Sequence, residues 1–428
     1  MLARRWVASI RFIAPGRLCA VRHPRLPGSR GGRGVGLRGP AWAPQAAYHP
    51  RAALPSQGLL PTGDVRMSYR RLTAWLAACG CLASPAVQAE DCDPRLISSP
   101  RFNAATCRFE NAPNPHARPT RSGWDIWTRQ LFGQREGTEP IDPIPVRRLD
   151  RAALDALDPA ASHIIRLGHS SHLMRLAGRW WLIDPVFGER ASPVSWAGPK
   201  RFHAPPLSVD ELPPIEALVL SHDHYDHLDA YTIEALKDRV QHYLVPLGVG
   251  ERLRRLGVAP ERIREFDWWQ DAAVAGVVAT ATPAHHFSGR SLWDRDSTLW
   301  ASWVLRVGEQ RIYFSGDSAY FPGFREIGQR LGPFDIALME NGAYDAYWPS
   351  SHMTPEETVQ AFKDLGAKTL YLVHNSTFAL AFHAWREPMD RVATMARRDG
   401  IDLATPVIGE VLTLGQPRRN QLWWQDLR

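Results

Sequence analysis

The sequence predicts a layered α/β domain. Three observations carry that prediction. From about residue 162, short apolar runs of strand length alternate with amphipathic stretches of helix length. Several of those runs end directly at His or Asp. No internal repeat of solenoid period competes with this pattern. The 428 residues, 44% of them hydrophobic, are enough for a sizeable core.

The segment 1–66 holds eleven Arg, no Lys and one acid, Asp64, which leaves 40 basic residues against 43 acidic ones in the remainder. The overall charge of +7 therefore belongs to this segment, and the folded part is not read as a nucleic-acid binder. Its Gly, Pro and Arg content cannot offset ordering entropy by apolar burial. Two readings fit: a disordered basic arm, and a translation start that lies at Met67. Residues 67–89 read as an export signal, with Arg70 and Arg71, an apolar stretch 72–82, and Val87-Gln88-Ala89 as the cleavage site. Leu76-Ala77-Ala78-Cys79 also resembles a lipobox, which would tether the protein through Cys79. The expected location is the periplasm of a bacterium, soluble or lipid-tethered, or the cytoplasm if the signal is unused. Beyond Ala89 only Cys92 and Cys107 remain, a pair for one small disulfide loop or two free thiols.

Residues 90–150 are rich in Pro and Arg and read as an extension wrapped on the main domain, with a helix at 124–132 and an extended linker at 140–145. The domain proper is set at 151–415, with a tail at 416–428. Strands are expected at 163–167, 171–176 and 179–183, the last two joined at Gly178. The continuous run 215–220 reads as a buried strand, followed by a helix at 229–240. A strand at 243–245 and a helix at 248–256 follow. Further strands are expected at 274–280, 301–307, 310–315, 336–339 and 369–373, and helices at 355–365 and 388–398.

The chemistry gathers at strand ends. Ser221-His-Asp-His-Tyr-Asp-His227 places His222 and His224 two apart, where an extended chain turns both rings the same way. Asp226 and His227 follow at once. Imidazole suits zinc, and carboxylate suits a harder or second metal. Thr282-Pro-Ala-His-His-Phe offers His285 and His286, Phe314-Ser-Gly-Asp offers Asp317, and Leu372-Val-His offers His374.

This spacing resembles the metallo-β-lactamase superfamily, and within it the N-acylphosphatidylethanolamine-hydrolysing phospholipase D family and its bacterial relatives. The shared stretches include Leu167-Gly-His-Ser-Ser171, Asp184-Pro-Val-Phe187, Ser195-Trp-Ala-Gly-Pro-Lys-Arg-Phe202, Thr298-Leu-Trp-Ala-Ser-Trp303 and Thr377-Phe-Ala-Leu380, within a match over about 146–409. The resemblance implies an αβ/βα sandwich with its site along one sheet edge. It implies one metal on His222, His224 and His286, a second on Asp226, His227 and His374, and Asp317 bridging them. His286 is preferred to His285 because it precedes an aromatic residue. Two zinc ions, or other divalent metals, would share a hydroxide as nucleophile, with Asp226 orienting it. His352 is the candidate for substrate contact or general acid. His169, His285, Tyr344 and His383 are expected around the ligands or the substrate, with Tyr347 and Trp348 as groove candidates and Lys200 and Arg201 for lipid phosphate. Two positions depart from the family: Glu340-Asn341 stands where Pro-Ile is usual, and Asn375-Ser376 where Trp-Gly is usual.

The expected activity is thus a phospholipase D-type phosphodiesterase acting on a phospholipid, with association to a membrane surface. The departures keep open a metal hydrolase of another ester, lactone or phosphorylated small molecule. A catalytically silent metal-binding envelope protein is the third reading. Oligomeric state is not specified by the sequence.

Overall fold

The computed structural model describes residues 92–418 and 420–428. The basic arm, the export signal, the lipobox and the cysteines before Cys92 lie outside the described residues. Among the described residues no helix is long and apolar enough to cross a membrane.

The described chain opens with α1 (Pro94–Ile97) and a small hairpin of β1 (Phe102–Asn103) and β2 (Arg108–Phe109). A Cys92–Cys107 disulfide closes this loop, with Cα atoms 5.4 Å apart. Helix α2 (Gly123–Phe132) is capped by Ser122, whose hydroxyl accepts the Asp125 N–H. None of its residues is buried. After α3 (Arg151–Asp155) come β3 (His163–Gly168), β4 (Ser171–Leu176) and β5 (Arg179–Ile183). Ala177 and Gly178, both at positive φ, form the tight turn between β4 and β5.

The chain continues through β6 (Ile215–Val219), α4 (Ala230–Leu236), β7 (Val240–Pro246), α5 (Val249–Arg255) and β8 (Ile263–Phe266). The second half holds β9 (Asp271–Val274), β10 (Val277–Thr282), β11 (Ser302–Val307), β12 (Gln310–Phe314), α6 (Gly323–Leu331), β13 (Phe334–Glu340), α7 (Pro355–Leu365), β14 (Ala367–Val373), α8 (Glu387–Asp399), β15 (Asp402–Ala404) and β16 (Val411–Thr413).

Two seven-stranded mixed sheets result, ordered β16-β3-β4-β5-β6-β7-β8 and β15-β14-β13-β12-β11-β10-β9. Period-two alternation sorts their side chains. Ile164, Trp181, Ile183 and Val219 point to a central core shared with Trp303, Phe314, Leu338 and Tyr371 of the other sheet. Ile165, Leu182 and Leu218 point outward, under α3, α4 and α5. The outer face of the second sheet is covered by α6, α7 and α8. Helices, two sheets and helices again make the expected αβ/βα sandwich.

Three expectations change. The helix after the His cluster stops at Leu236, because the Arg239 N–H turns back to the Leu236 carbonyl and Val240 already starts β7. The strand expected at 274–280 starts only at Val277, as β10, because Ala275 and Gly276 both take positive φ and form the bend between β9 and β10. Helix α6 and strands β8, β15 and β16 were not foreseen. The segment 416–428 packs closely: Trp424 is buried with its Nε1–H on the Asp390 carboxylate, and the Arg428 guanidinium meets Asp142.

Candidate metal centre

The strand ends converge on one edge of the sandwich. β5 leads to Asp184, β6 runs into 221–227, and the loop after β10 carries His286. β12 leads to Asp317, β13 ends at Glu340 and β14 leads to His374. Each of these strands ends in buried residues, so the polar residue at or after its end is held at a fixed height.

One carboxylate oxygen is the hub. Asp317 Oδ2 lies 3.1 Å from His227 Nε2, 3.0 Å from His374 Nε2, 3.7 Å from His222 Nε2 and 3.8 Å from His286 Nε2. His224 Nδ1 is 2.8 Å from His222 Nε2 and 3.3 Å from His286 Nε2. Asp226 Oδ2 is 3.4 Å from His227 Nε2 and 3.3 Å from His374 Nε2. Two ligand groups emerge: His222, His224, His286 and Asp317, and beside them Asp226, His227 and His374 together with His169; Asp317 and His374 also form a third cluster with Glu340 and His352.

This donor set fits metal. His227 Nε2 and Asp317 Oδ1 are buried without a hydrogen-bond partner, a costly state for polar atoms unless a cation takes their lone pairs. The far ring nitrogens are tied to the protein. His222 Nδ1 meets Ser221 Oγ at 2.9 Å, His227 Nδ1 meets Asp184 Oδ2 at 2.7 Å, and His286 Nδ1 meets the Ser351 carbonyl at 2.8 Å. Such partners fix tautomer and orientation, as around metal-bound imidazole.

Electrostatics agree. Burial opposes ionisation of Asp226 and Asp317, yet the neighbouring imidazoles, His227 foremost, hold both carboxyls well below their usual range. Burial likewise opposes charge on His374, but Asp317 and Asp226 outweigh it and push the ring up to about 10. His222 and His286 go the other way, driven down chiefly by burial. The pocket thus demands positive charge near its two carboxylates.

The remaining candidates fall into distinct places. His169 Nε2 bonds Asp226 Oδ2 at 3.0 Å, and burial lowers this imidazole to about 3. His352 meets Glu340 Oε2 at 2.8 Å through Nδ1, and its ring stacks on His374 at 5.1 Å. His383 accepts the Ala343 N–H at 3.1 Å and so shapes the loop after β13. His285 stands outside both ligand groups, its ring toward Phe321. Tyr344 turns away from the cavity, because its hydroxyl bonds Glu387 at 2.9 Å and its ring stacks on His383. Tyr347 sits against the Arg129 guanidinium, whereas Trp348 does line the cavity. Arg201 is buried on the Val186 and Gly188 carbonyls and Lys200 pairs with Glu189, so neither meets the site.

Sequence reasoning missed three contributors. Asp184 binds the Ser221 N–H and hydroxyl as well as His227, and its signal was an acid closing a buried strand. Asn111 reaches from the extension to the His286 backbone, accepting its N–H at 3.0 Å and donating to its carbonyl at 2.7 Å. Glu340 stood out only as a departure, and it is wholly buried.

Above the ligands lies an open cavity of about 450 Å³. His224, Asp226, Asp317, His352 and His374 form its floor. Ile126, Gln130, Phe287, Trp348, Leu380 and Arg295 contribute the walls.

Residues 179–375, the stretch that holds every member of the two ligand groups except His169, match the family described as the β-lactamase superfamily domain. An N-acyl-phosphatidylethanolamine-hydrolyzing phospholipase D 1 of Caenorhabditis elegans is 34% identical over 57% of this chain and 74% of its own length. The chain belongs to the metallo-β-lactamase superfamily. An uncharacterized protein of Mycobacterium tuberculosis is 41% identical over 70% of this chain and 80% of its own. Among solved structures, a metallo hydrolase from Ignicoccus hospitalis aligns with a TM-score of 0.46 at 18% identity, covering 60% of this chain and 100% of that one. As a metallo-β-lactamase-fold protein this chain is a metal-dependent hydrolase, and its His/Asp clusters are suited to bind metal.

Proposed function

We propose that the chain is a dinuclear zinc phosphodiesterase of phospholipase D type, acting on N-acylphosphatidylethanolamine-like phospholipids. The observation that carries this reading is the pair of ligand groups that meet at Asp317 Oδ2 beneath a cavity with apolar walls and one basic side chain. His222, His224 and His286 would hold one ion, and Asp226, His227 and His374 the other. Imidazole and carboxylate donors suit zinc. When bound, such a pair supplies a nucleophile from water near neutral pH and stabilises charge on phosphoryl oxygens.

The chain's own residues position the reaction. Asp184 and His169 fix His227 and Asp226 by hydrogen bonds. Arg295, over the Phe287 ring at 4.4 Å, provides a cation for the phosphodiester at the cavity wall. His352 would serve the leaving oxygen. Ile126, Trp348 and Leu380 offer apolar contact to an acyl chain. The outer side of α2 supports docking on a bilayer. Trp124 and Trp127 stack on each other at 5.0 Å, and they and Leu131 and Phe132 are all more than half exposed. Of the four arginines within 115–135, Arg118 and Arg129 pair with Glu357 and Asp345, and Arg121 and Arg135 remain to favour an anionic surface. The Cys92–Cys107 bridge supports a location outside the cytoplasm.

A second reading, hydrolysis of an uncharged ester or lactone, is favoured by one observation: Glu340 adds a buried carboxylate beside the site, which opposes an anionic substrate. The test is zinc-loaded full-length protein with vesicles containing N-acylphosphatidylethanolamine, followed by lipid mass spectrometry. Phosphatidic acid should appear, and His224→Ala should lose zinc and activity together. Lactone or ester turnover without phosphatidic acid favours the second reading. Full activity with unchanged zinc in His224→Ala would sink both.

A further inference from the structure

We propose that Glu340 is a positioning residue that holds His352 so that one of its imidazole nitrogens is presented to the substrate. The proposal rests on the reading of this centre as ester-cleaving, and it gives Glu340 a role in that reading. Glu340 is the last residue of β13 and is fixed at four points. Its N–H donates to Ser315 Oγ at 2.9 Å, and its carbonyl accepts the Thr358 hydroxyl at 3.0 Å. Its carboxylate accepts the Met353 N–H at 2.6 Å and meets His352 Nδ1 at 2.8 Å. A strand end and the loop before α7 are thereby locked together around one carboxylate.

His352 has little freedom left. Its ring stacks at 26° on His374 and meets His286 edge-on at 65°, both with centroids 5.1 Å apart. It is therefore wedged between one member of each proposed ligand group. Nδ1 is committed to Glu340, and the ring lines the cavity. Nε2 makes no hydrogen bond to the described residues and is the nitrogen left to face a substrate. Without Glu340 the ring can rotate about its Cβ–Cγ bond, and the Nε2 position is lost. Reaction groups must be held within a fraction of an ångström, so this loss falls on turnover more than on binding.

The experiment compares full-length, zinc-loaded wild type, Glu340→Gln, His352→Gln and the double variant on whichever ester the wild type turns over. Glu340→Gln should lower kcat by roughly 10–100-fold, with a much smaller change in KM. The double variant should be no slower than His352→Gln alone, the mark of a shared path. Zinc content should not change. Imidazole ¹⁵N spectra of the same proteins give a readout without turnover: the signal that disappears in His352→Gln should shift in Glu340→Gln. Multiplying losses in the double variant would overturn the proposal. So would zinc lost from Glu340→Gln, which would make Glu340 a metal ligand, or an unmoved His352 signal. If the wild type hydrolyses a lactone but no phosphodiester, the phospholipase reading fails and the coupling is still measured. If no ester is turned over, the spectra decide.

Discussion

His203 lies beneath the metal centre and shows how far the site is organised by neutral groups. Its Nδ1–H donates to the Ala204 carbonyl at 2.8 Å, and Nε2 accepts the Thr377 hydroxyl at 3.0 Å. That hydroxyl in turn accepts the His169 N–H at 2.6 Å, and His169 bonds Asp226. A protonated His203 cannot accept from Thr377. Burial depresses its imidazole to about 4 from the ordinary 6.5, so the unfolded chain binds the proton more readily than the folded one. The contribution of His203 to stability is complete above about 6.5 and is lost as pH falls toward 4. Thermal melts across that window should show Tm falling less steeply in His203→Gln than in the wild type, and parallel curves would refute the idea. At this scale the sequence was informative wherever chemistry is local. His222, His224, Asp226 and His227 announce themselves by spacing. Asp184 and Asn111 do not, because their partners are 43 and 175 residues away and single side chains carry no periodic signal.

Among elements, legibility followed the strength of local signals. Helix α7 was plain from Thr354-Pro-Glu-Glu, and the structure shows the reciprocal capping box there, with Gly366 at positive φ closing the other end. Helix α6 was hidden because Gly323 and Gly328 lower helix propensity and Pro322 stands at its start. The tertiary reason for Gly328 is close approach to α7. A Cβ there would meet the Leu365 and Asp364 carbonyl oxygens at 2.7 and 2.8 Å. Gly328→Ala therefore opposes two effects. Helix propensity would favour it by about 1 kcal/mol, and the backbone clash costs more, about 1–3 kcal/mol. Urea unfolding should show net destabilisation, and a stabilised variant would mean the two helices can part at no cost. The bend at Ala275-Gly276 was unreadable for the opposite reason: an apolar residue occupies a turn that usually advertises itself with Asn or Asp.

For the whole molecule, the asymmetry of charge and the sandwich class were legible, whereas the path of the extension was not. Residues 92–150 lie outside the stretch matched by the family, yet Asn111 grips the backbone of His286 and Arg118 pairs with Glu357 of α7. The Cys92–Cys107 bridge secures the near end of this segment. Opening it in Cys92→Ser/Cys107→Ser should lower stability by up to about 3 kcal/mol for a loop of this length, and speed zinc release to a chelator. Unchanged release would show that the extension holds without it. The grip of Asn111 on His286 also sets a timetable. The clasp leaves the ribosome long before the ligand it clasps, and closing so long a loop is slow. The His286 backbone is thus seated only once the extension has folded back onto the loop after β10, and on the proposed ligand set the loading of metal would follow that contact.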